Sequence, residues 1–100
     1  MGIHISHADG KLRSATTIAN LGQRLAHALP ARDWRQIKHL FGGRFADVAR
    51  IPHRDAGKIA TIVRKAANDR SMPRDWANLA HLIADAAQKA ANSRQDWVWS

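Results

Sequence analysis

The sequence predicts an α+β domain, mainly helical, built of two αα-hairpins with a candidate internal duplication and a small sheet including the N- and C-terminal segments. Three observations predict it. Four stretches carry apolar residues at the spacing of one helix face. Pro30, Pro52 and Pro73 each fall just before or at the start of such a stretch, where a missing N–H costs nothing. Both chain ends alternate apolar and polar residues with a period of two, as half-buried strands do.

The first helix is expected over residues 14–28, with Ile18, Leu21, Leu25, Ala28 and Leu29 inward and Ser14 or Thr16 as cap. The second is expected over 31–41, with Trp34, Ile37, Leu40 and Phe41 on one face and Gly42-Gly43 as its stop. The third is expected over 54–68, burying Ala56, Ile59, Ala60, Val63, Ala66 and Ala67. The fourth is expected over 73–92, burying Trp76, Leu79, Ala80, Ile83, Ala86, Ala87 and Ala90. Residues 2–6 and Trp97–Trp99 read as strands, and pairing them would cover Ile3 and Ile5 with Trp97 and Trp99. Residues 45–51 fit either a strand or a short helix. Trp34 and Trp76 read as core anchors.

The duplication rests on a shared block, D-W-x-x-[IL]-x-H-L-[FI], at Asp33–Phe41 and Asp75–Ile83. Each copy is preceded by a Pro and an Arg, and His39 and His81 occupy equivalent positions.

The chain has 100 residues, of which 45 are apolar, but 19 of those are Ala and only 20 are Leu, Ile, Val or Phe. That suffices for one core and not two, so 1–100 is read as a single domain. No Cys is present, which removes disulfides, thiolate metal sites and thiol nucleophiles together. No apolar run approaches the ~20 residues of a membrane span. Residues 1–10 lack the basic and apolar regions of a signal peptide. A cytoplasmic protein without membrane contact is therefore expected.

The net charge is +8, and residues 24–70 hold seven of the eight, with 11 Lys or Arg against four Asp. The chain contains no Glu. Arg outnumbers Lys, and the planar Arg fork suits phosphate. On the third helix Arg54, Lys58, Thr61 and Lys65 lie opposite the apolar stripe, flanked by Arg64. After Asp55 this ridge contains no acid, whereas a merely solvated face alternates signs.

Other constellations are weaker. Ile5-Ser6-His7-Ala8-Asp9 and Ile51-Pro52-His53-Arg54-Asp55 share I-x-H-x-D. If the loops met, His7, Asp9, His53 and Asp55 could face one metal. The simpler reading makes Asp55 a helix cap and Asp9-Gly10 a turn. No nucleophile elbow, P-loop or dinucleotide fingerprint is present.

Residues 45–66 faintly resemble a lactose-repressor-type helix-turn-helix. Asp47-Val48-Ala49 would sit in its first helix and Asp55 would cap the second, with Arg54, Lys58, Thr61 and Arg64 near DNA. The sequence departs from that family at the turn, where His53 replaces a glycine, Arg54 a buried aliphatic, and Pro52 interrupts. Over most of the chain, Leu29-Pro30 with Asp33-Trp34, Met72-Pro73-Arg74-Asp75-Trp76 and the ending Gln95-Asp96-Trp97-Val98-Trp99-Ser100 resemble a family of small uncharacterised actinobacterial single-domain proteins. That resemblance implies a self-contained unit and brings no activity.

The expected function is non-enzymatic. Nucleic acid, DNA first, is bound through Arg54, Lys58, Thr61, Arg64 and Lys65, with help from Arg35 and Lys38. No metal or cofactor is expected. The alternative is a protein-interaction module, an accessory factor or inhibitor docking on an acidic partner.

Overall fold

In the computed structural model, residues 2–8, 13–41 and 49–100 are described. Strand β1 (Gly2–Ile3) pairs antiparallel with β2 (Arg13–Ser14). Helices α1 (Ala15–Ala28) and α2 (Ala31–Ile37) follow, and a 3-10 turn, Lys38–Leu40, extends α2. Strand β3 (Ala49–Ile51) leads into helix α3 (His53–Ala67), helix α4 (Arg74–Asn92) and strand β4 (Trp97–Trp99).

Local chemistry sets the helix ends. Ser14 caps α1, its hydroxyl accepting from the Thr17 N–H at 3.0 Å. Pro30 forces Leu29 into an extended conformation and so stops α1. Pro30, Pro52 and Pro73 are the N-caps of α2, α3 and α4, and each proline carbonyl accepts the first helical bond, from Trp34, Ala56 and Ala77. Asp33, Asp55 and Asp75 in the first turns complement the helix dipole. The second helix is shorter than its pattern predicts. The switch to a 3-10 turn after Ile37 lets both Leu40 and Phe41 enter the core. Gly42 and Gly43 lie outside the described residues.

Helices α3 and α4 form the most extensive contact in the molecule. Both helices bury many alanines, Ala56, Ala60, Ala66 and Ala67 on α3 and Ala80, Ala84, Ala86, Ala87 and Ala90 on α4, beside Ile59, Ile62, Val63 and Ile83. Small side chains let the two backbones approach closely, and Ala costs the helices nothing in propensity. Both D-W blocks open helices with similar caps, but α2 has seven residues and α4 has nineteen.

The ends close the fold as their alternation predicts. Strand β4 pairs antiparallel with β3, Arg50 standing opposite Val98. On its other edge, Ile5 bridges Trp99, and His4 and Ser100 exchange backbone bonds of 2.8 and 2.9 Å. Ile3, Ile5, Trp97 and Trp99 are all buried. Trp99 meets Phe41 edge-on at 5.5 Å and Trp97 edge-on at 5.3 Å, so the tail forms the aromatic centre of the core. Trp34 and Trp76, read as core anchors, are only half-buried and pack at its rim. Among the described residues no helix is long and apolar enough to cross a membrane.

Residues 45–48 lie outside the described residues, and 49–51 form a strand. This corrects the helix-turn-helix resemblance, whose first helix needed Ala49.

Candidate nucleic-acid interface

Helix α3 is wedged among α1, α2 and α4, and a narrow strip of it reaches solvent. Arg54, Asp55, Lys58, Thr61 and Lys65 are exposed on that strip, and Arg64 is half-buried beside it. The ridge expected from the sequence therefore exists, but the tertiary fold supplies acids to part of it. Lys65 Nζ reaches Asp33 Oδ2 of α2 at 3.0 Å. Arg64 donates to Asp85 Oδ1 of α4 at 2.6 Å and to His81 Nδ1 at 3.1 Å. Thr61 donates its hydroxyl back to the Gly57 carbonyl at 3.2 Å. Both ion pairs are solvent-exposed, each of the kind that contributes ~0–1 kcal/mol.

Arg54 and Lys58 have no ion-pair partner among the described residues, nor do Arg35, Lys38 and Arg50. The Lys65–Asp33 pair lies toward the start of α2. Gln36 and His39, further along, face Lys58 and Ile59 across a cleft. That cleft has a volume of about 370 Å³, with Ile51, Pro52 and Ile59 as its apolar surface. Gln36, His39, Arg50, Lys58 and Asp55 supply the polar lining, Asp55 being its one carboxylate.

Sequence reasoning missed Arg50, Gln36 and His39 as parts of this site. Once residues 49–51 are a strand beside a buried Ile51, period two places Arg50 outward, so the ambiguity of that segment hid it.

A second polar cluster lies along α4. His7, Asn78, His81, Asp85 and Lys89 line a cleft of about 350 Å³ with Ala8, Leu82 and Ala86. His7 takes a left-handed backbone conformation, φ 65°. Its Nδ1 meets the Ser6 hydroxyl at 3.0 Å and its Nε2 meets Gln95 Oε1 at 2.8 Å. Gln95 Oε1 can only accept, so Nε2–H donates to it, and the Ser6 oxygen also accepts the Val98 N–H at 2.8 Å. Nε2 thus ties the N-terminal segment to the residues before the tail, while Nδ1 is taken by its own neighbour Ser6.

His7 and Asp55 line different clefts, and Asp9 lies outside the described residues. The proposed His7, Asp9, His53 and Asp55 set is therefore not seen as one site. Among the described residues no group of His and Asp could hold a metal ion.

The architecture is that of a small, mainly helical α+β domain closed by its own chain ends, with a cation-rich cleft on one side. The chain belongs to the family described as a domain of unknown function, DUF7739, whose model matches residues 7–100. The match bears out the resemblance to a small single-domain family. No curated protein and no solved structure matches the chain.

Proposed function

We propose that this protein is a small non-enzymatic domain that binds nucleic acid, DNA in the first instance, by holding phosphates on the face shared by α2 and α3. The observation that carries this reading is the group of five cations without ion-pair partners among the described residues, Arg35, Lys38, Arg50, Arg54 and Lys58, two of which line one cleft. Two cations sharing one cleft, Arg50 and Lys58, cost repulsion, and a polyanion removes that cost while releasing its own counterions. Arg50 and Lys58 are the principal phosphate contacts, with Arg54, Arg35 and Lys38 extending the track. Arg64 and Lys65 are secondary, since each must first leave a carboxylate. A helix this deeply packed does not enter a major groove. The contacts are with backbone, and the binding is weakly dependent on sequence.

Titrating a random duplex at several salt concentrations tests this. The logarithm of the binding constant should fall linearly with the logarithm of salt, by about 0.9 per phosphate contact. Arg50→Ala combined with Lys58→Ala should flatten that slope by nearly 2, whereas Lys89→Ala on α4 should leave it unchanged. Equal effects from Lys89→Ala and the double variant, or no binding at ~50 mM salt, would overturn the reading. The cation cluster would then fit an acidic protein partner.

A further inference from the structure

We infer that the cleft between α1 and the first turn of α4 is a nucleobase-stacking subsite, taking one nucleotide of single-stranded nucleic acid on Trp76. This deepens the nucleic-acid reading and rests on it, but it uses different residues. The contrast between two tryptophans points to it. Trp34 and Trp76 occupy the same position of the same D-W helix start. Trp34 has a ring neighbour, Phe41, at 6.4 Å between centroids. Trp76 has no aromatic neighbour, and no hydrogen-bond partner for its indole N–H, among the described residues. It is half-buried at the edge of a cleft of about 360 Å³, within the usual size of a small-ligand site.

The rest of that cleft comes from a single stripe of α1. Asn20, Gln23, Arg24 and His27 are spaced three and four apart, so they share one helix face, and all are exposed. Arg24 and His27 also line a neighbouring cleft of about 290 Å³ with Ala28, Ser71, Met72 and Pro73. No carboxylate lines either one.

This combination selects its ligand by chemistry. A half-exposed indole offers a flat apolar surface. The Asn20 and Gln23 amides each carry a donor and an acceptor, which match the hydrogen-bonding edge of a base. Arg24 offers a cation, and His27 a ring nitrogen, on the same stripe, where a phosphate joined to that base would lie. Single strands are recognised in this way, by stacking on aromatic rings with hydrogen bonds to exposed base edges. A duplex keeps its bases stacked internally and cannot offer one to Trp76.

The test compares a labelled oligothymidylate and an oligoadenylate with a duplex, at one salt concentration, on the whole chain. Trp76→Ala should weaken single-strand binding by about five- to 150-fold and leave duplex binding unchanged. Trp76→Phe should keep most of the affinity. Gln23→Ala, on the exposed stripe, should weaken single-strand binding several-fold without changing the melting temperature, and it guards against misfolding of the Trp76 variants. Equal losses for single strand and duplex, or unchanged single-strand binding in Trp76→Ala and Gln23→Ala, would overturn the subsite. Wild-type protein that binds duplex but not single strand would also overturn it, leaving the phosphate reading standing. Protein that binds neither form would overturn both.

Discussion

Gly22 in the middle of α1 should resist the substitution that helix propensity favours. An ideal Cβ there would lie 2.7 Å from the Phe41 Cβ, 3.1 Å from the Phe41 carbonyl oxygen and 3.4 Å from the end of the Trp34 ring. The first two are near-rigid points of the chain, so α1 or the turn after α2 must move. Gly→Ala within a helix gains roughly 0.5–1 kcal/mol when space is free. Forcing a methyl into a filled core costs about 1–3 kcal/mol. Gly22→Ala should therefore destabilise the protein by about 1–2 kcal/mol net. Gly57 in α3 is the internal control. Its added Cβ would meet the Ala91 Cβ at 3.5 Å, an ordinary contact. Gly57→Ala should stabilise by up to about 1 kcal/mol, near the full propensity gain. Urea denaturation of both variants beside wild type decides the matter, and in a domain this size each kcal/mol shifts the melting temperature by about 4–8 °C. Stabilisation by Gly22→Ala equal to that of Gly57→Ala would refute the close seating of Phe41 on α1.

Two further outcomes follow from particular contacts. The Ser71 hydroxyl, and then the Ser71 backbone N–H, donate to Asp69 Oδ1 and hold its carboxyl below the ordinary value. A depressed carboxyl contributes stability that is present above its unfolded value and is lost as pH falls through its folded one. Ser71→Ala should move the Asp69 titration, followed by carboxyl NMR shifts, up toward the ordinary range. An unmoved midpoint would mean the hydroxyl is not the main donor. Trp97 is fully buried, with its indole N–H donating to the Ser6 carbonyl at 3.0 Å. Trp97→Ala should cost roughly 3–5 kcal/mol, read from the same denaturation curves. A loss below about 1 kcal/mol would remove the tail from the core.

What could be read in the sequence, and what could not, divides by the range of the interaction. The extents of α1, α3 and α4 follow from local signals: the Ser14 cap, the prolines at Pro30, Pro52 and Pro73, and an apolar period unbroken across each helix. The pairing of residues 4–6 with β4 was legible because Ile3, Ile5, Trp97 and Trp99 carry the only strong period-two signals at the ends. The early stop of α2 was not, because a 3-10 turn keeps Leu40 and Phe41 inward as a continued helix also could. The site shows the same division. The α3 ridge was visible on a helical wheel. The pairing of Lys65 with Asp33 and of Arg64 with Asp85, 32 and 21 residues apart, was not. Nor was the half-burial of Trp34 and Trp76, since tertiary placement and not the shared D-W start decides how far each ring is covered and what lies beside it.

The order of assembly follows from the same division. The α3–α4 hairpin is local in sequence and joined by six residues, Asn68 to Pro73, so it can form early. The α2–α3 cleft cannot. Its Arg50 wall stands on β3, and β4 is the strand paired to β3 among the described residues. Strand β4 is fixed in turn by the burial of Trp97 and Trp99 and by the backbone of residues 4–6. Arg50 is therefore held beside Lys58 by a strand that itself pairs with the tail. A ligand that binds the folded form alone stabilises it by mass action, so a polyanion held by Arg50 and Lys58 should raise the melting temperature. The tryptophan tail and the α2–α3 cleft are joined through one three-residue strand, β3.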